Sequence, residues 1–164
     1  MTEVYKGHIR PVETSELALL PAVEKASDGL FEGVEFPPGS VLDELDATHT
    51  VLVAGRPPVG FAVYGPLDDA VHLHQISVVP EHGRRGIGTA LLSAIVQEST
   101  KSVTLTTFRD VPWNAPWYRK HGFLEFSDAD WGPGLRRLVA AERAAGLDRI
   151  GPRVVLRRAP GRSA

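Results

Sequence analysis

Three runs rich in β-branched and other apolar residues follow one another in the first half of the chain: "HTVLVA", "VGFAVYGPL" and "VHLHQISVV". Only the short turns "GRPP" and "DDA" separate them. Connections this short join antiparallel neighbours, because a parallel pair needs a crossover of a dozen or more residues. The chain must therefore contain an antiparallel meander. Directly after it the periodicity changes: residues 86–97 carry Ile87, Leu91, Leu92, Ile95 and Val96 at helical spacing, and "SVTLTTF" restores a β-branched strand. Strand, helix and strand in that order predict a right-handed crossover with locally parallel pairing. A meander joined to such a crossover is an α/β fold built on a mixed sheet.

The remaining segments fit around that scaffold. Residues 4–9 alternate weakly and read as a first strand. Thr14 or Ser15 then caps a helix whose Leu17, Leu20, Val23 and Leu30 lie on one face. "DGLFEGVEFPPGS" is irregular, and residues 41–45 form a short helical piece. Beyond Phe108, a short helix starts near Asn114 and stops at Gly122, with Lys120 and His121 near its negative end. A strand at 123–126, an Ala- and Arg-rich amphipathic helix at 133–146 and a strand in "PRVVLRR" complete the order. At 164 residues with no shift in composition, one domain is expected over residues 1–159, with 160–164 as a fraying tail.

Composition removes several chemistries. Cys is absent, which excludes disulfides, thiolate nucleophiles and Cys-ligated metal. The 18 basic and 20 acidic residues are well mixed and net charge is -2, so no overall basic field attracts nucleic acid or an anionic membrane. No signal-like or membrane-spanning run is present, which makes a soluble cytoplasmic protein the default expectation.

Phosphate attraction must then be local, and "VPEHGRRGIGTALL" supplies a site for it. A helix N-terminus carries amides without intrahelical partners and a partial positive charge, and glycines let an anion approach the backbone. The P-loop pattern fails because Gly88 is followed by Thr89 and Ala90, with no lysine. The Rossmann pattern fits Gly86 and Gly88, but its third glycine falls on Leu91 and the motif follows a meander; Asp110, about 20 residues on, is the feature in its favour.

The stretch "HLHQISVVPEHGRRGIGTALL" resembles the acyl-CoA-binding motif of the GNAT superfamily of N-acetyltransferases, and "WNAPWYRKHGFLEF" resembles the region that follows it there. The resemblance implies a mixed, mostly antiparallel sheet of six to seven strands, flanked by helices and splayed at the acyl-CoA-binding strand. It implies acetyl-CoA as cosubstrate, with the amides of Gly86, Ile87, Gly88 and Thr89 holding the pyrophosphate. The superfamily loop reads Q/R-x-x-G-x-G/A, and Gly83 departs from its first position. Arg84 and Arg85 lie beside it to supply the charge. Backbone groups of Ile76, Val78 and Val79 would face the pantetheine arm and acetyl carbonyl, one N–H serving as a small oxyanion hole. Asn114 would hydrogen-bond the pantetheine arm, though it is also a good helix cap.

Acetyl transfer to an amine needs a neutral amine, a stabilised oxyanion and a proton for the thiolate. Tyr118, four residues after Asn114 on the same helical face, is implied as the general acid; a packing role at the rim is the alternative. His72 and His74, two apart on one strand, are candidates for the base, or else are strand side chains satisfied at the sheet. Gln75 is expected to face the other way and be structural. No third ligand at sensible spacing supports a metal site on the two histidines. Trp113 and Trp117 are expected to pack the short helix on the sheet. Glu24, Asp28, Glu32 and Glu35 surround the irregular segment, and if they point inward a cationic acceptor is favoured.

The expected function is transfer of an acetyl group from acetyl-CoA to a small-molecule or peptide primary amine, by direct attack through a tetrahedral intermediate. A non-catalytic acyl-CoA sensor is the principal alternative, and a nucleotide-dependent oxidoreductase the next. Neither nucleic acid nor membrane is an expected partner, and exposed sheet edges are compatible with a homodimer.

Overall fold

The computed structural model describes residues 5–31, 34–37, 39–82 and 85–160. Its strands are β1 (Ile9–Pro11), β2 (Thr50–Ala54), β3 (Gly60–Leu67), β4 (Ala70–Val78), β5 (Val103–Phe108), β6 (Leu124–Glu125) and β7 (Arg153–Arg158). The α-helices are α1 (Leu20–Asp28), α2 (Ile87–Glu98), α3 (Ala115–Lys120), α4 (Pro133–Ala144) and α5 (Leu147–Ile150). The strands form one mixed sheet in the order β1-β2-β3-β4-β5-β7-β6. The β1–β2, β2–β3, β5–β7 and β6–β7 pairs are antiparallel, while β4 and β5 pair in parallel at Val71↔Val103 and His72↔Thr104. The meander and the crossover are both present, in the positions their periodicity predicts.

By internal contacts the chain divides into two compact units. The first comprises Met1–Gly33, Ser40–Gly65 and Leu73–Glu98; the second comprises Val34–Gly39, Pro66–His72 and Ser99–Ala164.

In the first unit the strand alternation sorts the core. Val51 pairs with Val63 and Val53 with Phe61, and these four pack with Leu20 and Val23 of α1. The alternate pairs, Leu52 with Ala62 and Ala54 with Gly60, point to the opposite face. Ile87, Leu91, Leu92 and Ile95 are the buried stripe of α2. A Cβ at Gly60 would stand 3.0 Å from Ile87 Cγ2 and 3.3 Å from the Ser77 carbonyl, so a glycine there lets the start of α2 close onto the sheet. Ahead of α1, Arg10 forms a two-pronged ion pair with Glu16, both contacts at 2.7 Å, and holds its carboxyl at about 2.

In the second unit β5 and β7 pair along six residues, and Leu135 and Val139 of α4 pack on Val155 with Leu67, Phe126 and Trp131 around them. Asp68, at φ 54°, accepts hydrogen bonds from the Gly134 and Leu135 amides at 2.8 and 3.0 Å. One carboxylate thus caps the first turn of a helix far along the chain.

Several expectations change. The first strand is Ile9–Pro11, and Val4 lies outside the described residues. Leu20 and Val23 are buried as expected, but Leu17 is 37% and Leu30 45% exposed, because a 3-10 turn precedes α1 and the helix ends at Asp28. The helix expected over 133–146 stops at Ala144, where Gly146 turns left-handed at φ 91°, and a separate turn, α5, follows. The strand expected at 123–126 is only Leu124–Glu125. Of the expected tail, residues 161–164 lie outside the described residues.

Candidate active site

The C-terminal half of β4 carries the backbone groups of interest, and their directions follow from its hydrogen bonds. Gln75 Nε2 donates to Ser77 Oγ at 2.8 Å, so residues 75 and 77 share a face and the strand alternates regularly there. The Val79 N–H donates to the Val59 carbonyl at 2.9 Å, toward β3. Groups at 75, 77 and 79 therefore point to β3, and the N–H groups of Ile76 and Val78 point to the opposite edge of β4. Val79 is used on both sides, since its carbonyl also accepts from His82 at 2.8 Å. Of the three residues expected to offer backbone to an acyl chain, Ile76 and Val78 have suitably directed amides and Val79 does not.

β4 also changes phase. The Val71 N–H, an even number of residues from Val79, donates to Ser102 instead, at 2.9 Å. One extra residue is therefore accommodated between Val71 and Gln75, the signature of a β-bulge. Bulges re-aim side chains, and here they fall beside the two histidines.

His72 is 2% exposed, with Nδ1 at 2.8 Å from Thr104 Oγ1. It sits in the core of the second unit as a hydrogen-bonded strand residue, the alternative considered for it. His74 belongs to the first unit and meets His49 edge to face, with ring centroids 5.1 Å apart. Burial, with a smaller contribution from His49, pushes the His74 imidazole down to about 4. It is thus neutral at pH 7 and a much weaker base than an ordinary histidine. Because the unfolded chain takes this proton near pH 6.5 and the folded one only near pH 4, stability is full above pH 6.5 and declines as pH falls toward 4. Allowing for partial solvent access, urea unfolding across that window should show a loss of about 1 to 2 kcal/mol that His74→Gln removes.

At the other end of the loop, Gly86 has φ 74°, a left-handed conformation that favours glycine, and its carbonyl accepts the Ala90 N–H at 2.9 Å to open α2. Ile87 is 1% exposed, which anchors the helix start. The first-turn amides of Ile87, Gly88 and Thr89 follow, where the helix dipole is positive. Arg85 is exposed just before them, and Gly83 and Arg84 lie outside the described residues.

In the second unit Asn114 occupies the N-cap position of α3, but its side chain makes no capping bond. Its Oδ1 instead accepts from Thr107 Oγ1 of β5 at 2.6 Å, which orients the amide and leaves Nδ2 as the donor for other groups. Tyr118 donates its backbone N–H to the Asn114 carbonyl at 3.0 Å and packs edge to face against Trp117 and Phe123, at 4.9 and 5.6 Å. Burial pushes the Tyr118 phenol well above its ordinary value, so it keeps its proton throughout the physiological range. Gly122, at φ 89°, ends the helix as expected. Trp117 packs against His121, and Trp113 is 45% exposed.

Residues 46–125 match the family model described as "Acetyltransferase (GNAT) domain". That match spans just under half of the chain. Solved structures agree in fold over nearly the whole chain. The ribosomal-protein-S18-alanine N-acetyltransferase from Escherichia coli shares 17% identity at a TM-score of 0.66, covering 96% of each chain. A GNAT-family acetyltransferase from Staphylococcus aureus MU50 shares 13% identity at 0.70, covering 94% of this chain and 99% of that one. N-acetylglutamate synthase from Neisseria gonorrhoeae, complexed with coenzyme A and N-acetyl-glutamate, shares 16% identity at 0.69; 94% of this chain matches 35% of that longer one.

Two residues not singled out in the sequence set the surroundings of expected site residues, each within its own unit. Thr107 orients Asn114, and His49 lies against His74. Glu24 accepts from Gln75 Nε2 at 2.6 Å and from Ser40 Oγ at 2.7 Å, tying α1 to β4. Gln75 is structural as expected, and Glu24 serves the same network, whereas Asp28 and Glu35 are exposed and Glu32 lies outside the described residues. None of these pairings has a signal in local spacing, since each joins residues from separate elements. Among the described residues, no group of three or more His, Cys, Asp or Glu side chains is arranged to hold a metal, and no helix is long and apolar enough to cross a membrane.

Proposed function

We propose that the protein transfers the acetyl group of acetyl-CoA to a primary amine by direct attack. The observation that carries this reading is the junction at Gly86, where a left-handed glycine opens α2 and turns the positive end of the helix toward the loop. Gly86, Ile87, Gly88 and Thr89 hold the pyrophosphate of coenzyme A, with Arg84 and Arg85 adding charge. The pantetheine arm runs beside Ile76 and Val78 and meets Asn114 Nδ2.

The amine nitrogen attacks the acetyl carbon, and the carbonyl electron pair moves onto oxygen. The N–H of Val78 or Ile76 donates to that oxyanion. Collapse breaks the carbon–sulfur bond, and the Tyr118 hydroxyl gives its proton to the departing thiolate. An alkylammonium near pKa 10 is about 6 units too weak an acid to give its proton to an imidazole at about 4. The acceptor therefore enters as the neutral amine, its ammonium proton having passed to the bulk buffer before binding, and the far more acidic N–H of the tetrahedral intermediate returns a proton to the Tyr118 phenolate through water beside His74, while buried His72 supports the strand. This arrangement suits amines that are already partly neutral at pH 7, such as α-amino groups with a pKa near 8.

Thiol release from acetyl-CoA with a panel of amines tests the reading. Turnover on at least one primary amine, with the acetyl group recovered on nitrogen, is the expected result. Tight coenzyme A binding without turnover on any amine would identify a sensor instead. Thermal protection by NAD(H) but not by coenzyme A would remove the acyl-CoA assignment altogether.

A further inference from the structure

Beyond its bulge, β4 needs something to fix its phase, because an extra residue frees the strand that follows to settle in more than one register. In the first unit the backbone supplies one anchor, the bond from the Val79 N–H to the Val59 carbonyl at 2.9 Å. A side chain supplies another. Gln75 Nε2 donates to Ser77 Oγ at 2.8 Å and to Glu24 Oε2 at 2.6 Å, which uses both protons of the amide. Ser77 is 3% exposed, so the first bond satisfies a buried hydroxyl on the strand itself. The second bond crosses to α1 and is charge-assisted, in keeping with its short length.

Glu24 is a firm anchor for that bond. It follows Val23, which packs with Leu20 in the core formed by Val51, Val53, Phe61 and Val63. Its Oε2 also accepts from Ser40 Oγ at 2.7 Å, and Ser40 Oγ in turn accepts the Leu42 N–H at 3.1 Å. The carboxylate is thus held by the core behind it and by Ser40 at its side. Gln75 directly precedes Ile76, so drawing its side chain toward α1 sets the direction of the Ile76 N–H and, two residues on, of the Val78 N–H.

We infer that Glu24 is a positioning residue for acyl transfer: through Gln75 it holds the strand beyond the bulge in the phase that turns the Ile76 and Val78 amides away from β3. The inference rests on the reading above, in which one of these amides donates to the oxyanion. In this role Glu24 contacts neither the acyl group nor the amine.

Amide hydrogen exchange on the full chain tests the clamp without requiring turnover. In Glu24→Ala the Val79 amide should exchange about 10-fold faster than in the wild type, while the Val12 amide, bonded to the Val51 carbonyl at 3.0 Å, keeps its rate. Steady-state thiol release tests the catalytic consequence. Glu24→Ala should lower kcat about 10-fold, with KM for acetyl-CoA within about 3-fold because the first turn of α2 is unaltered. Glu24→Gln, whose amide oxygen can accept both bonds, should recover most of that kcat. Gln75→Leu should match Glu24→Ala, and the double variant should be no slower than either single one, since each change removes the same contact. Unaltered Val79 exchange in Glu24→Ala overturns the inference. Additive losses in the double variant also overturn it, because Glu24 would then act without Gln75, and so does a Glu24→Gln variant as slow as Glu24→Ala. A wild-type chain that turns over no amine would remove the functional reading and the catalytic part of this inference, while the exchange result still decides the clamp.

Discussion

Tyr118→Phe is expected to lower kcat for acetyl transfer by about 100-fold or more while KM for acetyl-CoA changes by less than about 3-fold. In the proposed reaction the hydroxyl acts only when the carbon–sulfur bond breaks, so its loss is expected in the transition state and not in binding. Burial keeps the phenol protonated through the physiological range and at the same time weakens it as an acid, so transfer depends on the negative charge that develops on the departing sulfur. The ring itself packs on Trp117 and Phe123, and phenylalanine preserves those contacts. An unchanged melting temperature beside a collapsed kcat, measured by thiol release, would identify proton donation. An unchanged kcat would move the general acid elsewhere, either to another side chain or to water.

The second large effect is expected at the loop. Gly86→Val forces a β-branched residue into a left-handed conformation at φ 74°, and the adjacent Ile87 is too buried to let the turn relax outward. Strain of about 1 to 3 kcal/mol should appear as lower stability in urea. Because the same turn aims the first amides of α2, KM for acetyl-CoA should also rise by about 10-fold or more. A variant that loses stability but retains its KM would show that the amides are not the diphosphate site. Arg85 is the complementary case: it is exposed, and in the proposed site it would contribute charge alone.

Much of the scaffold was legible because its signals are local. Alternation in "HTVLVA" and "VGFAVYGPL" depends only on two faces of a pleated strand, and the observed pairs Val51↔Val63 and Val53↔Phe61 put those residues in the core. Gly86 and Gly122 were readable as turn points, and both adopt positive φ. The periodicity over 133–146 predicts one helix, but α4 stops at Ala144 and a separate turn begins after Gly146, because a left-handed glycine ends one helix and leaves no local mark of the next.

The histidines show where such reading stops. Strict alternation puts His72 and His74 together and Gln75 opposite, but a phase change within β4 breaks that rule, and a bulge has no signature in this sequence of β-branched and polar residues. Their environments differ as well: His72 is sealed beside Thr104, whereas His74 lies against His49 in the other unit. Protonation is a property of those surroundings, and it is what makes His74 a weak base.

Residue order by itself determined the meander, the crossover, the glycine junction and the Asn114–Tyr118 spacing, since each depends on neighbours within a few positions. Tertiary structure decided which amides of β4 face away from β3, that Thr107 rather than the helix holds Asn114, and that Glu142 of α4 pairs with Arg153 of β7. Those outcomes arise between residues far apart in the chain, where burial and the direction of each hydrogen bond are fixed only once the elements have packed.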